Sequence, residues 1–234
     1  MRGHKPVIFE KGDKRGGVFN AAAAPSFKEK DKELLVWYNK EMKDNNVEIR
    51  FNTAVTSLDE LKDFDKVIVA TGATANKPRI EGLDKTVEAC DYLNGAAVGN
   101  KVIIIGGGLT GCEIAYDLYN KGKTPVIIEM KNDLIAVKGV CLANSSYLRD
   151  FFELNKVEVH LETTLLKVTD KGVVVKDKAG KEFEIEGDTV IASMGYHPAP
   201  VFAKSSKVTL IGDCNKVGNL RTAIWKAWDV AMKI

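Results

Sequence analysis

The 234-residue sequence carries four cysteines, at 90, 112, 141 and 214, and no two of them form a CxxC pair. That spacing argues against a redox-active disulfide of the thioredoxin-reductase kind, a zinc ribbon or an iron–sulfur cluster held by this chain. The histidines, His4, His160 and His197, are dispersed and make no metal-ligand pattern. Ser193 lies in no GxSxG elbow, so a serine hydrolase is not indicated. No apolar run approaches the roughly 20 residues that span a bilayer. The opening MRGHKPVIFEKGDKRGG has no apolar signal-peptide core. A cytoplasmic location with no membrane partner is therefore expected. Excess charge is missing too: 34 basic against 32 acidic residues leave a net +2. The lysines are scattered, which excludes a nucleic-acid partner from the expectation.

Against these absences stands residues 101–129, KVIIIGGGLTGCEIAYDLYNKGKTPVIIE. An apolar β-branched run enters Gly106-Gly107-Gly108-Leu109-Thr110-Gly111, a helical pattern follows, and a second apolar run ends on Glu129. This is the βαβ dinucleotide fingerprint in its full context. Gly106 allows the tight turn, Gly108 lets backbone approach a pyrophosphate, and Gly111 lets the helix lie close to the strand. The free N–H groups and positive end of the helix, from Leu109 and Thr110 onward, face the phosphates. Glu129 sits where an acid accepts hydrogen bonds from the ribose hydroxyls, the NAD form of the motif, so NADH is expected over NADPH. Lys131 is the nearby cation that could attract a 2′-phosphate. Cys112 falls in the first helical turn, where a dipole would lower its pKa; the alternative is a small buried residue against the sheet.

The start of the chain parallels this unit. Residues 2–10 and 121–129 share a basic residue and Gly, then a short apolar strand ending in an acid, Glu10 in one and Glu129 in the other. The strand, glycine loop and helix that should precede Glu10 are absent, which suggests the C-terminal fragment of a longer polypeptide. Apolar runs and punctuation place strands near 6–10, 47–51, 66–70, 101–105, 125–129, 157–160, 163–169, 172–176, 182–186, 189–193 and 208–211. Helices are expected near 28–45, 58–62, 110–122, 142–154 and 220–233. Residues 163–186 read as an antiparallel meander turning at Asp177–Lys181. The fold class is α/β, with two nested dinucleotide-binding domains of Rossmann-like, glutathione-reductase type. The first, residues 1–98 with 190–234, lacks its initial strand and glycine loop; the second, 99–189, is inserted and binds NAD(H).

These residues resemble the C-terminal FAD/NAD-binding part of the multidomain NADH:flavin oxidoreductases of the Old Yellow Enzyme superfamily, most nearly its 2-enoate reductase type. The resemblance covers the whole chain. It rests on Phe9-Glu10-Lys11 followed by Gly16-Gly17-Val18 and on to Ala24-Pro25, on Val69-Ala70-Thr71-Gly72, on residues 105–113, and on Ile211-Gly212-Asp213-Cys214. Generic disulfide reductases share the glycine loop but have a cysteine pair that is missing here. The resemblance implies that Glu10 binds the FAD ribose and that Gly16, Gly17 and Val18 contact its pyrophosphate and ribityl region. Ala70, Thr71 and Gly72 would line FAD, Asp213 would bind the ribityl chain, and Gly195 would line the nicotinamide path. Gly106, Gly108, Leu109, Thr110, Gly111 and Glu129 would hold NADH. Glu113 either approaches the nicotinamide or is a helix-surface carboxylate.

The resemblance further implies NADH and FAD on this part, with FMN and a [4Fe–4S] cluster in a missing N-terminal barrel where a small-molecule enoate is reduced. The intact enzyme would be a homo-oligomer, and no catalytic side chain is expected within these residues. The alternative is a non-catalytic nucleotide-binding module, as in a trimethylamine-dehydrogenase-like flavoprotein.

Overall fold

The computed structural model describes residues 3–137 and 139–234. In chain order the elements are β1 (Val7–Phe9), α1 (Phe19–Ala22), α2 (Glu29–Asp44), β2 (Glu48–Arg50), β3 (Val67–Val69), β4 (Ala73–Ala75), β5 (Val87–Glu88), α3 (Ala89–Leu93), β6 (Lys101–Ile105) and α4 (Leu109–Asn120). There follow β7 (Thr124–Ile128), α5 (Leu142–Leu154), β8 (Glu158–His160), β9 (Thr164–Thr169), β10 (Gly172–Lys176), β11 (Glu182–Glu186), β12 (Thr189–Ala192), β13 (Tyr196–Pro198), β14 (Val208–Leu210) and α6 (Leu220–Ala231). Two compact units result, one made of the chain up to Thr74 with Tyr196–Ile234, the other of Ala75–Gly195. No helix among the described residues is long and apolar enough to cross a membrane.

The Ala75–Gly195 unit is a five-stranded parallel sheet in the order β5-β12-β6-β7-β8. Because side chains alternate along a strand, the continuous Val/Ile runs serve two faces. Val102, Ile104, Ile127 and Ile191 pack under α3, α4 and α5, against Ile114, Ala115, Leu118, Leu148 and Phe152. Ile103, Ile105, Val126 and Ile128 face the opposite way, onto Val173, Val175, Leu165 and Ile185 of an antiparallel β9-β10-β11 meander. Burial on both faces is what a parallel sheet demands. A buried polar tie joins α3 to α4: the Tyr92 hydroxyl donates to Asp117 at 2.6 Å, and Lys121 Nζ donates to the same oxygen at 2.7 Å.

The other unit is smaller in sheet. β1 pairs parallel with β2, and β3 pairs parallel with β14, as two separate sheets, with β4 and β13 forming a third pair. Its core is Leu61, Val67, Val69, Val208 and Cys214, with Phe9 and Phe64 packed edge to face on one another at 5.8 Å. Several apolar side chains of α2 and α6 stay exposed, among them Trp37, Trp225 and Trp228.

Two expectations shift. The boundaries expected at 98/99 and 189/190 fall instead at 74/75 and 195/196. The reason is packing: β5 is hydrogen-bonded to β12, Ala89 and Tyr92 of α3 are buried in the α4 core, and β12 lies beside β6. The helix expected over 58–62 is a single 3₁₀ turn, Leu58–Leu61, opened by a capping box in which Ser57 and Glu60 bond each other's backbone. Elements of two to five residues, such as α1, α3, β4, β5 and β13, are too short to leave a period in the sequence.

Candidate functional site

The chemistry of the Ala75–Gly195 unit is concentrated at the carboxyl ends of β6, β7 and β12, where ligands bind in open α/β sheets. At the end of β6 the chain turns through Gly106 at φ +109°. A Cβ there would overlap the carbonyl oxygen of Ser193, which follows β12, and a Cβ on Gly111 would overlap the carbonyl oxygen of Gly106. These two glycines are required by contacts within the protein. Gly108 differs: a Cβ there would meet nothing within 4 Å, so its outer side is open. It precedes α4 in an extended conformation without any side-chain cap. The first intrahelical bond runs from Cys112 N–H to Gly108 O at 3.0 Å. The N–H groups of Leu109, Thr110 and Gly111 therefore have no partner inside the helix. An open glycine at the start of an uncapped twelve-residue helix fits an anionic pyrophosphate.

Glu129 is buried, 8% exposed, at the end of β7. Its carboxylate accepts from Gly107 N–H at 2.7 Å and from Lys131 N–H at 2.8 Å, one bond to each oxygen. Each oxygen retains a lone pair for further donors, which fits a ribose diol. Lys131 Nζ donates to the Ala136 carbonyl at 3.4 Å on the exposed side of the loop. Cys112 is fully buried. Burial first, then the Glu129 charge, pushes its thiol up to about 12. The helix dipole does not win, and Cys112 is the packed residue rather than an activated one.

Gly195, at φ +82°, ends the segment after β12, and Asn76 Nδ2 donates to the neighbouring Met194 carbonyl at 3.1 Å. Ser193 N–H donates to Ile105 O at 2.8 Å, which keeps this segment beside the glycine loop. Glu113 is half-buried on α4.

In the other unit the expected residues form two groups. Ala70, Thr71 and Gly72 follow β3, Asp213 follows β14, and the two strand ends are adjacent through Ile211 N–H to Val69 O at 3.0 Å. Thr71 Oγ1 donates to the Ala199 carbonyl at 2.8 Å, and Asp213 accepts from Gly218 N–H at 3.0 Å. The second group follows β1. Glu10 is half-buried and accepts from Gly12 N–H at 2.7 Å. Gly16 and Gly17 adopt φ +100° and +49°, and Val18 is 57% exposed at the start of α1. Next to them lies a residue the sequence did not single out. Arg15 has its Nε–H buried and without a partner, while its Nη1 donates to Asn39 at 3.2 Å. An orphaned guanidinium donor beside two left-handed glycines fits an anionic cofactor.

The sequence also missed Gly107, whose N–H bonds Glu129 and whose Cβ would press on Leu134 and Glu129. A triple glycine gives no sign of which member is needed for which contact.

A family model described as pyridine nucleotide-disulphide oxidoreductase matches residues 59–232. Cinnamate reductase of Clostridium sporogenes is 40% identical over the whole of this chain, which covers 36% of that protein. NADH oxidase of Thermoanaerobacter brockii is 31% identical, again over the whole chain and 38% of its own length. Among solved structures, a 2-naphthoyl-CoA reductase in complex with 2-naphthoyl-CoA superposes with a TM-score of 0.89 at 27% identity, covering all of this chain and 36% of that one. The chain thus spans little more than a third of the length of these relatives.

Proposed function

The chain belongs to the pyridine nucleotide-disulphide oxidoreductase family, and from that premise we propose that it is the electron-input part of a flavin-dependent oxidoreductase that reduces an activated C=C bond. When bound, NADH and FAD supply the two-electron chemistry; this chain's residues bind and orient them. The observation that carries the reading is the β6–α4–β7 unit, in which an open Gly108, uncapped helical N–H groups and a buried, loop-bonded Glu129 converge. Leu109, Thr110 and Gly111 offer backbone donors to the pyrophosphate of NADH, and Glu129 takes the ribose hydroxyls. Gly106 makes the turn at the end of β6, and Gly195 lines the nicotinamide path. On the FAD side, Glu10 binds the ribose and Gly16, Gly17 and Val18, with Arg15 beside them, contact the pyrophosphate and ribityl region, while Ala70, Thr71 and Gly72 line the cofactor and Asp213 binds the ribityl chain. No side-chain acid or base of this chain is needed for the transfer.

The substrate class is an enoate or enoyl compound. That choice draws on the cinnamate reductase and naphthoyl-CoA reductase likenesses together with the motifs after β1 and β14. FMN and a [4Fe–4S] cluster would belong to a barrel domain outside these 234 residues. A homo-oligomeric, cytoplasmic whole protein completes the proposal. An anaerobic absorbance titration of the full-length protein with NADH tests it. Bleaching of the flavin with two electrons per NADH is expected. A spectrum that stays oxidised favours a nucleotide-binding module that passes no electrons.

A further inference from the structure

The segment that follows Glu129 carries a conformation its sequence does not favour. Ile135 is β-branched yet sits at φ +52°, in the left-handed region that such residues avoid. It is 3% exposed, and its N–H donates to the Gly107 carbonyl at 2.7 Å. Leu134, 5% exposed, stands against Gly107 itself. Gly107 is thereby held at both ends, its carbonyl by Ile135 and its N–H by Glu129. A strained residue persists only where its surroundings over-determine it, and the anchor comes from another element. Arg149 of α5 forks onto Asp133, Nε to Oδ1 at 3.0 Å and Nη2 to Oδ2 at 2.9 Å, and Nη2 also donates to the Leu134 carbonyl. Residues 133, 134 and 135 are consecutive, so the fork ends within one residue of the strained position.

We propose that Arg149, acting through Asp133, is a positioning residue for the dinucleotide: it pins residues 130–137 so that Ile135 fixes the middle of the glycine loop and Gly107 presents its N–H to Glu129. This rests on the dinucleotide reading above. An exposed ion pair contributes little by its charge alone. The planar fork with a third bond to a backbone carbonyl adds direction, which a lysine cannot reproduce. The competing account is that burial of Leu134 and Ile135 holds the segment unaided, with the Asp133–Arg149 pair incidental.

The test uses the full-length protein and the variants Arg149→Met, Arg149→Lys, Asp133→Asn and Arg149→Met/Asp133→Asn. Two readouts are taken: amide hydrogen exchange across 130–137 without nucleotide, and NADH titration with the limiting rate of flavin reduction. Asp133 is half-exposed, so its variant keeps the experiment alive where Arg149→Met fails to fold. Faster exchange confined to 130–137 is expected, with Kd for NADH raised about tenfold and the saturating rate unchanged. Arg149→Lys should not rescue, and the double variant should be no worse than the worse single. Unchanged exchange in that segment, or single effects that add, overturns the proposal. Failure of the wild type to bind NADH removes the dinucleotide reading and the positioning role with it, while the exchange data still separate a pinned segment from a free one.

Discussion

Two strands of this molecule end in the same way and live differently. β1 and β7 are short apolar strands, each following a basic residue and a glycine and each followed by a glutamate. After β7, Glu129 is buried and bonded to a glycine loop 22 residues upstream. After β1, Glu10 is half-buried and bonded to Gly12, two residues away. β7 lies between β6 and β8 in a five-stranded sheet, whereas among the described residues β1 pairs with β2 in a two-stranded one. At β7 the acid meets a loop whose N–H group turns toward it, and the parallel neighbour β6 is what brings that loop within reach.

The glycines of the two loops should differ most in what they tolerate. Gly111→Val places a side chain on the Gly106 carbonyl, and a loss of about 3 kcal/mol or more in stability is expected. Gly17→Ala meets nothing within 4 Å, so only its left-handed φ is penalised, at about 1 kcal/mol. Denaturant unfolding of both variants measures the contrast; equal losses would show that the two loops are packed alike.

The two acids should differ by less. Glu129→Gln keeps one acceptor but loses the charge-assisted bonds to Gly107 and Lys131, for an expected cost of about 1–2 kcal/mol and a higher KM for NADH. Glu10→Gln, near the surface, should stay within about 0.5 kcal/mol. If Glu10→Gln is the more damaging of the two, the difference in burial is not what separates these sites.

A smaller effect lies in the alkaline range. Cys112 holds its proton up to about 12 in the folded protein against an ordinary 9.0, because burial and the Glu129 charge both oppose a thiolate. The unfolded chain gives up that proton near pH 9, so this contribution is whole below pH 9 and is lost as the pH rises toward 12. The slope is up to about 1.4 kcal/mol per pH unit. Tyr92, raised by burial and by its bond to Asp117, acts in the same direction from its ordinary value of 10.0 upward. Cys112→Ala should flatten the pH dependence of unfolding between pH 9 and 12; an unchanged slope would assign it elsewhere.

The least perturbing measurement is thiol labelling of the native protein at neutral pH. Cys141 is exposed, and Cys112 and Cys214 are buried. Iodoacetamide should mark Cys141 first and leave Cys112 until unfolding. Early labelling of Cys112 would mean that the glycine-loop helix opens.

Much of this was legible in the residues. The strands at 101–105, 172–176 and 182–186 and the helix at 142–154 coincide with their expected limits, because the β-branched runs KVIII and GVVVK, the alternation EFEIE and the turn signals around each element leave little choice. The glycine loop and its acid were legible for a related reason: only glycine tolerates a close backbone approach, so the sequence has to spell it out. What the sequence could not carry were contacts between distant elements. The extent of the inserted unit was settled by β5 and α3, too short to show a period, which join a sheet whose other strands lie downstream. The fate of Cys112 was decided by burial against the dipole. The left-handed Ile135, the fork of Arg149 and the orphaned Arg15 nitrogen depend on what surrounds each side chain. The periodicity, the glycines and the acids could be read from the residues, since those follow from local backbone chemistry. Which acid is buried, which glycine is open and which guanidinium nitrogen is orphaned followed from packing, because burial and hydrogen bonding belong to the packed neighbours and not to the residue.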